Sequence, residues 1–389
     1  MVFRLGLATT YPPTHCGIAE YSRMLLMAMK SIMPSIEAYV FADRLGGDER
    51  FDEFARVMVY PCFTHQERSY RDLLDKLAEI GGVDVLHVQH EYGIFGLHNG
   101  LIHAIEEAVR ERLVKKTVIT MHTVDHPNSP RKATIEFQSH LNIFDAVIVH
   151  SVLQEFELQH QDIHPLRIYR IPHGTMLNPY LWMPRFKLME ELGLRSEQLR
   201  GFIVVVPGFL RKDKGFDILV KAVKPLLKER GFTLIVAGET RDPALRRELE
   251  EMIKNGPNTI FIERYLANEE ILKLVALADA VVLPYRDRPK SYSVSGILHL
   301  SMGGLKPIIG TRTPRLIELY QHAPRLTVPP KSPRELTKKI RWLSKNYDLA
   351  IAYMSSLYSY AVRTQWLRMA RRHLSLYAYL LGVDRVSNI

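Results

Sequence analysis

The stretch GFIVVVPGFLRKDKGFDILVKA, residues 201–222, constrains this chain more than any other. Its apolar β-branched run, residues 203–206, reads as a strand buried on both faces, as in a parallel sheet. Pro207 and Gly208 break the run. A basic loop with Arg211, Lys212 and Lys214 follows, and Gly215 opens a helix. Phe216, Leu219, Val223, Leu226 and Leu227 recur near the helical period, and Pro225 predicts a kink or an early stop. A strand, a basic glycine-bearing loop and a helix can hold a phosphate. The helix start supplies N–H groups and positive dipole, and Lys214 and Arg211 add full charge. An ordinary βα connection with solvated charges fits the same residues.

Similar units recur along the chain. Strands are expected near residues 4–8, 36–42, 56–60, 83–88, 117–121, 144–150 and 168–171, and again at 203–206, 233–237, 259–262, 280–283 and 307–310. Helical patterns separate them, and the end reads as helical over 336–347 and 353–381. This alternation predicts an α/β chain with parallel sheets in two halves. Ligands of such sheets bind at the carboxyl ends of strands, where His90 and His122 fall, each starting a loop with Gly or Pro. The first loop, TTYPPTHCGIAEYS, lacks the GxGxxG fingerprint, which argues against a dinucleotide enzyme.

The 389 residues suit two domains, and two cysteines, Cys16 and Cys62, make neither a disulfide framework nor a metal cluster. A reducing cytoplasm is therefore the expected compartment. The first residues are too short in apolar length for a signal peptide, and no run approaches a membrane span. The formal net charge of +10 asks for an anionic partner or a solvated basic face. No nucleic-acid module is visible. Basic residues concentrate in KKIRWLSK and WLRMARRH, so a peripheral contact with an anionic membrane at its inner face is one expectation, and a solvated helix face the other.

Several segments together carry a resemblance. YPPTHCGIAEYS, LHVQHEYGIFG, ITMHTV, IPHG, VPGFLRKDKGFDILVKA, ADAVVLPYR and GGLKPIIGT stand in the order found in GT-B glycosyltransferases. The chain resembles the retaining family that includes sucrose synthase and the mannosyltransferases acting on phosphatidylinositol (family 4), and within it a bacterial and archaeal subgroup with a PPxxCGIA motif. The resemblance covers nearly the whole chain. It implies two Rossmann-like domains facing a central cleft: an acceptor domain over 1–178, a donor domain over 179–358, and a final helix, 359–389, crossing back to the first.

It also implies transfer of a hexosyl group, with retention, from a nucleoside diphosphate sugar of the GDP-mannose or UDP-glucose type to a sugar or sugar phosphate, with no cofactor and no metal. Lys214 matches the lysine on the diphosphate, His122 the histidine near the transferred sugar, and Gly17 the glycine that lets backbone approach the ligand. Arg211 stands in for the arginine that Phe209 replaces. Ile18, Gly208, Glu239, Ser293, Ser295 and Gly296 are the further donor-binding expectations. His90, Glu91 and His173 are those for the acceptor or sugar. The family's two donor-loop glutamates are absent. Ungapped alignment puts Tyr292 and Leu300 there, and one inserted residue puts Ser291 and His299 there. A sugar phosphorylase on the same fold and a degenerate binding protein are the alternatives.

Overall fold

In the computed structural model, residues 3–227, 231–240, 242–254, 258–286 and 288–383 are described. The chain divides into two units. One holds the described residues up to Gly174, with Pro289–Val294 and the chain from Trp366 on; the other holds Thr175–Arg288 and Ser295–Gln365.

Nine strands serve the first unit's N-terminal part: β1 (Arg4–Thr9), β2 (Glu37–Asp43), β3 (Arg50–Asp52), β4 (Val57–Phe63), β5 (Val83–His90), β6 (Val114–Met121), β7 (Thr123–Asp125), β8 (Ala146–Val149) and β9 (Ile168–Arg170). All but β7 form one sheet, in the order β3-β4-β2-β1-β5-β6-β8-β9. Every neighbouring pair is parallel except β3 with β4. β8 is buried at all four positions, as a strand covered on both faces must be.

The second unit carries β10 (Phe202–Pro207), β11 (Phe232–Ala237), β12 (Thr259–Ile262) and β13 (Ala280–Leu283). Ser291–Ser293 forms β14, and Ile308–Thr311 and Thr327–Val328 form β15 and β16. The second sheet is fully parallel, in the order β12-β11-β10-β13-β15-β16. The β-branched run of β10 is buried near its centre. The helix after it, Phe216–Val223, stops two residues before Pro225, which has no N–H to continue the ladder, although Lys224 keeps helical angles.

Two features depart from expectation. β14 leaves its neighbours in sequence and pairs antiparallel with β7, Tyr292 opposite Val124, so Ser291–Ser293 belongs to the first unit. The helical pattern over 353–381 is not continuous: it is broken between Ser355–Arg363 and Trp366–Leu380. The Thr175 amide donates to the Thr364 carbonyl (2.8 Å), and Thr175 bridges Gln365 like a strand, which draws this backbone out of the helix. Among the described residues no helix is long and apolar enough to cross a membrane.

The last helix packs on the first, Gly17–Ile32, within the first unit. Trp366 lies flat on Gly174, where an added Cβ would sit 2.2 Å from the indole Cδ2. Gly174→Ala must therefore push the indole aside, and an overpacking loss of about 1–3 kcal/mol is expected in denaturant unfolding. Trp366→Leu added to Gly174→Ala should recover part of it.

Candidate active site

The loop after β10 is held by two glycines. Gly208 has φ +108°, and a Cβ there would meet Ile297 at 2.8 Å. Gly215 has φ +71°, and its Cβ would lie 1.9 Å from the Pro284 carbonyl oxygen. No L side chain fits either place, so the loop is clamped to the segment beyond β13. Sheet pairing continues past β10, with Gly208 N–H on Ala237 O and Leu210 N–H on Glu239 O, both 2.9 Å.

Asp213 organises the charges of this loop. Its carboxylate pairs with Arg211 (3.2 Å), Arg315 (2.5 Å) and Arg288 (3.5 Å). Burial alone would raise its carboxyl, but Arg211, Arg315, Lys214 and Arg288 reverse this and hold it at about 2. Lys214 Nζ rests 3.9 Å from the centre of the Tyr285 ring. The Tyr285 hydroxyl meets Ser295 Oγ at 2.9 Å, and Ser295 Oγ accepts from the Leu298 amide, capping the helix Gly296–Met302. Lys214 is half-buried rather than exposed as the loop sequence suggests. Burial, then the nearby Arg315 and Arg211, push its ammonium well below the usual lysine range. An anion placed here would relieve that penalty. Lys212 and Arg286 are engaged by Asp242 and Asp217. A cavity of about 390 Å³ opens beside the loop, but Asp213, Asp217 and Glu248 line it, which suits a phosphate poorly.

The first unit gathers rings at the carboxyl ends of β6, β8 and β9. Tyr21 lies 5.0 Å from each of His122, His173 and Trp366, and 5.3 Å from His150. His122 Nε2 meets Gln89 Oε1 at 2.9 Å. Burial, and then the neighbouring imidazoles of His150, His87 and His90, push His122 well below the usual histidine range. The His150 imidazole is held at about 4 by burial. His122 and His150 are therefore neutral near pH 7 and act as hydrogen-bonding groups, which suits sugar hydroxyls. Tyr21 Oη and His150 Nε2 are buried with no hydrogen-bond partner among the described residues.

Of the expected donor residues, Gly17 and Ile18 form the first turn of the helix Gly17–Ile32, and a Cβ on Gly17 would meet nothing within 4 Å. Glu239 lies just past β11, beside Leu210. Ser293 is the exception: it pairs with Thr123 in the first unit, whereas Ser295 and Gly296 belong to the second. Among the expected sugar contacts, His173 joins the ring cluster. His90 does not. It is wholly buried, stacked 4.3 Å from Phe137 with Phe95 on it as well, so no ligand reaches it. Glu91 is committed to local structure, accepting from Tyr92 N–H and from Thr123 Oγ1 at 2.7 Å.

Sequence reasoning passed over Tyr21, His150 and Asp213. Tyr21 had a signal: it stands four residues after Gly17 and so on the same helix face. His150 ends the apolar run of β8, the same strand-end position that drew attention to His122.

Residues 201–346 match the family described as glycosyl transferases group 1. A segment of 122 residues is 29% identical to glycogen synthase of Lactiplantibacillus plantarum; it is 31% of this chain and spans 24% of that protein. Among solved structures, a glycosyltransferase from Rickettsia africae superposes with TM-score 0.74 at 15% identity, covering 97% of this chain and 98% of that one. The Anabaena protein HepE, solved with UDP, gives 0.73 at 18% identity, covering 97% and 100%. Sucrose-phosphate synthase of Thermosynechococcus elongatus gives 0.73 at 18%, covering 98% and 99%. The fold is that of the GT-B glycosyltransferases.

Proposed function

We propose, from the match of residues 201–346 to the glycosyl transferases group 1 family, that this chain is a hexosyltransferase. It moves a hexosyl group, with retention, from a nucleoside diphosphate sugar of the UDP-glucose or GDP-mannose type to a sugar or sugar-phosphate hydroxyl. The observation that carries this reading is the loop after β10, where Asp213 draws Arg211, Arg288, Arg315 and Lys214 together. Breaking a sugar–phosphate bond builds negative charge on the departing diphosphate, and preorganised cations stabilise that charge. HepE, which shares the fold, has been solved with UDP and with UDP-glucose, which supports this donor class.

Retention follows if the leaving phosphate takes the acceptor's proton on the face it departs from. Neutral His122, held by Gln89, then hydrogen-bonds the transferred sugar. A binding protein without transfer is the second reading, favoured by the residues at the glutamate places. His299 is wholly buried with Nδ1 on the Ser295 carbonyl (3.0 Å), and Tyr292 sits in β14.

A thermal-shift panel of UDP, GDP, ADP and their hexose conjugates tests the donor, since a ligand of the folded state raises its midpoint. Product release from the best conjugate separates transferase from binder. His122→Ala is expected to lower turnover roughly ten- to a hundredfold while nucleotide affinity stays unchanged. Equal losses in both would remove His122 from the sugar.

A further inference from the structure

The basic stretch KKIRWLSK is not simply a solvated face. It forms the end of the helix Pro333–Lys345, whose Leu336, Ile340 and Leu343 are buried in the second unit. Lys339 and Trp342 instead line a concavity of about 470 Å³ with Arg312, Arg325, Thr327 and Tyr353. The concavity lies at the edge of the second sheet formed by β16, beside the loop that follows β15.

Three cations converge there, each bonded to a neutral group. Arg312 Nε donates to Thr327 Oγ1 (3.1 Å), Arg325 to the Tyr353 hydroxyl (2.9 Å), and Lys339 Nζ to the Arg325 carbonyl (2.8 Å). Among the described residues no carboxylate forms an ion pair with any of them. The nearby Glu335 pairs with Lys338. Trp342 and Tyr353 lie parallel and stacked, 5° between their planes with centres 5.9 Å apart, and bring aromatic surface to the concavity. Arg325 sits 4.7 Å from the Tyr353 ring centre and Lys339 5.0 Å from that of Trp342.

The geometry points to a second anion site here, for a soluble phosphate ester with a ring, such as a hexose phosphate. The phosphate takes the unused donors of Arg312, Arg325 and Lys339, and the ring packs against the stacked Trp342–Tyr353 pair. Charge-assisted contacts are strong where no carboxylate competes. The volume falls within the roughly 300–1,000 Å³ of small-molecule sites.

Trp342 reports on occupancy. In the full chain, titration with glucose 6-phosphate should change its fluorescence saturably, and glucose should not. Inorganic phosphate should bind more weakly. Lys339→Gln and Arg325→Gln should each weaken the response roughly tenfold or more, and Trp342→Phe should abolish it. Lys339→Gln should leave UDP affinity unchanged, so this test succeeds or fails independently of the donor reading. No saturable change with glucose 6-phosphate, or an undiminished one in both charge variants, would overturn the site. Binding only to phosphatidylcholine vesicles containing phosphatidylserine would overturn it in favour of a membrane.

Discussion

Lys214→Ala is expected to weaken binding of the best nucleoside diphosphate by roughly ten- to a hundredfold in titration calorimetry. The fold should survive. The lost contact is the one with Tyr285, and a cation over a ring contributes about 0.5–2 kcal/mol. Against this, the substitution removes a half-buried ammonium whose charge burial and the neighbouring Arg315 and Arg211 disfavour. A second signature follows from that. Lys214 is pushed down by burial and by Arg315 and Arg211, so a bound diphosphate must push it back up. Binding then takes up a proton at any pH between the two values, and affinity falls as pH rises through that interval. Calorimetry in buffers of different ionisation heat should detect the uptake in the parent and lose it in Lys214→Ala. Arg211→Ala should cost less, since its side chain is 56% exposed and engaged with Asp213. If Lys214→Ala binds as tightly as the parent, the diphosphate is held elsewhere.

How far the sequence discloses this molecule depends on how local each feature is. β12 and β13 follow directly from short apolar runs, and most other strands shift by only a few residues. β13 is buried at all four positions, which leaves no polar alternation to confuse the reading, while β12 is a partly buried edge strand whose residues are apolar all the same after Thr259. The loop after β10 is legible in part: the positive φ of Gly208 and Gly215 is a local demand, but the atoms that bar a side chain there belong to Ile297 and Pro284, distant in sequence. Long-range facts are not legible. The β7–β14 pair joins two three-residue segments far apart in sequence, and neither carries a periodic signal. Thr364 leaves its helix because Thr175 claims its carbonyl, which no helical pattern discloses.

The histidines show the same division. His90 and His122 look alike, each near a strand end. Phe137, distant in sequence, encloses the first, while Gln89 and Tyr21 hold the second among the other rings. The Asp213 cluster combines both cases. Arg211 and Lys214 are its neighbours in the chain, but Arg315 arrives from beyond β15, and only folding makes the aspartate their common partner.

Glu318→Gln is expected to stabilise the second unit at alkaline pH and to flatten its pH dependence. Glu318 lies on the short helix Ile317–His322 and is 3% exposed. Neither carboxyl oxygen has a hydrogen-bond partner among the described residues. Burial pushes the carboxyl up from 4.5 to about 7, so the folded unit prefers it protonated. Between those values the folded state holds a proton that the unfolded chain has released. Stability from this group is therefore complete below the unfolded value and is lost as pH rises through the folded one. The loss is about 3 kcal/mol, at roughly 1.4 kcal/mol for each unit of displacement. Glutamine keeps the shape and cannot ionise. Near pH 5, where both side chains are largely neutral, the variant should lie within about 1 kcal/mol of the parent. Near pH 8 it should be more stable by roughly 2–3 kcal/mol. Guanidinium unfolding followed by Trp342 fluorescence, in a background with Trp182→Phe and Trp366→Phe, reads this unit. Parallel pH profiles for parent and variant would mean that Glu318 finds a partner for its charge, and that its burial carries no titration.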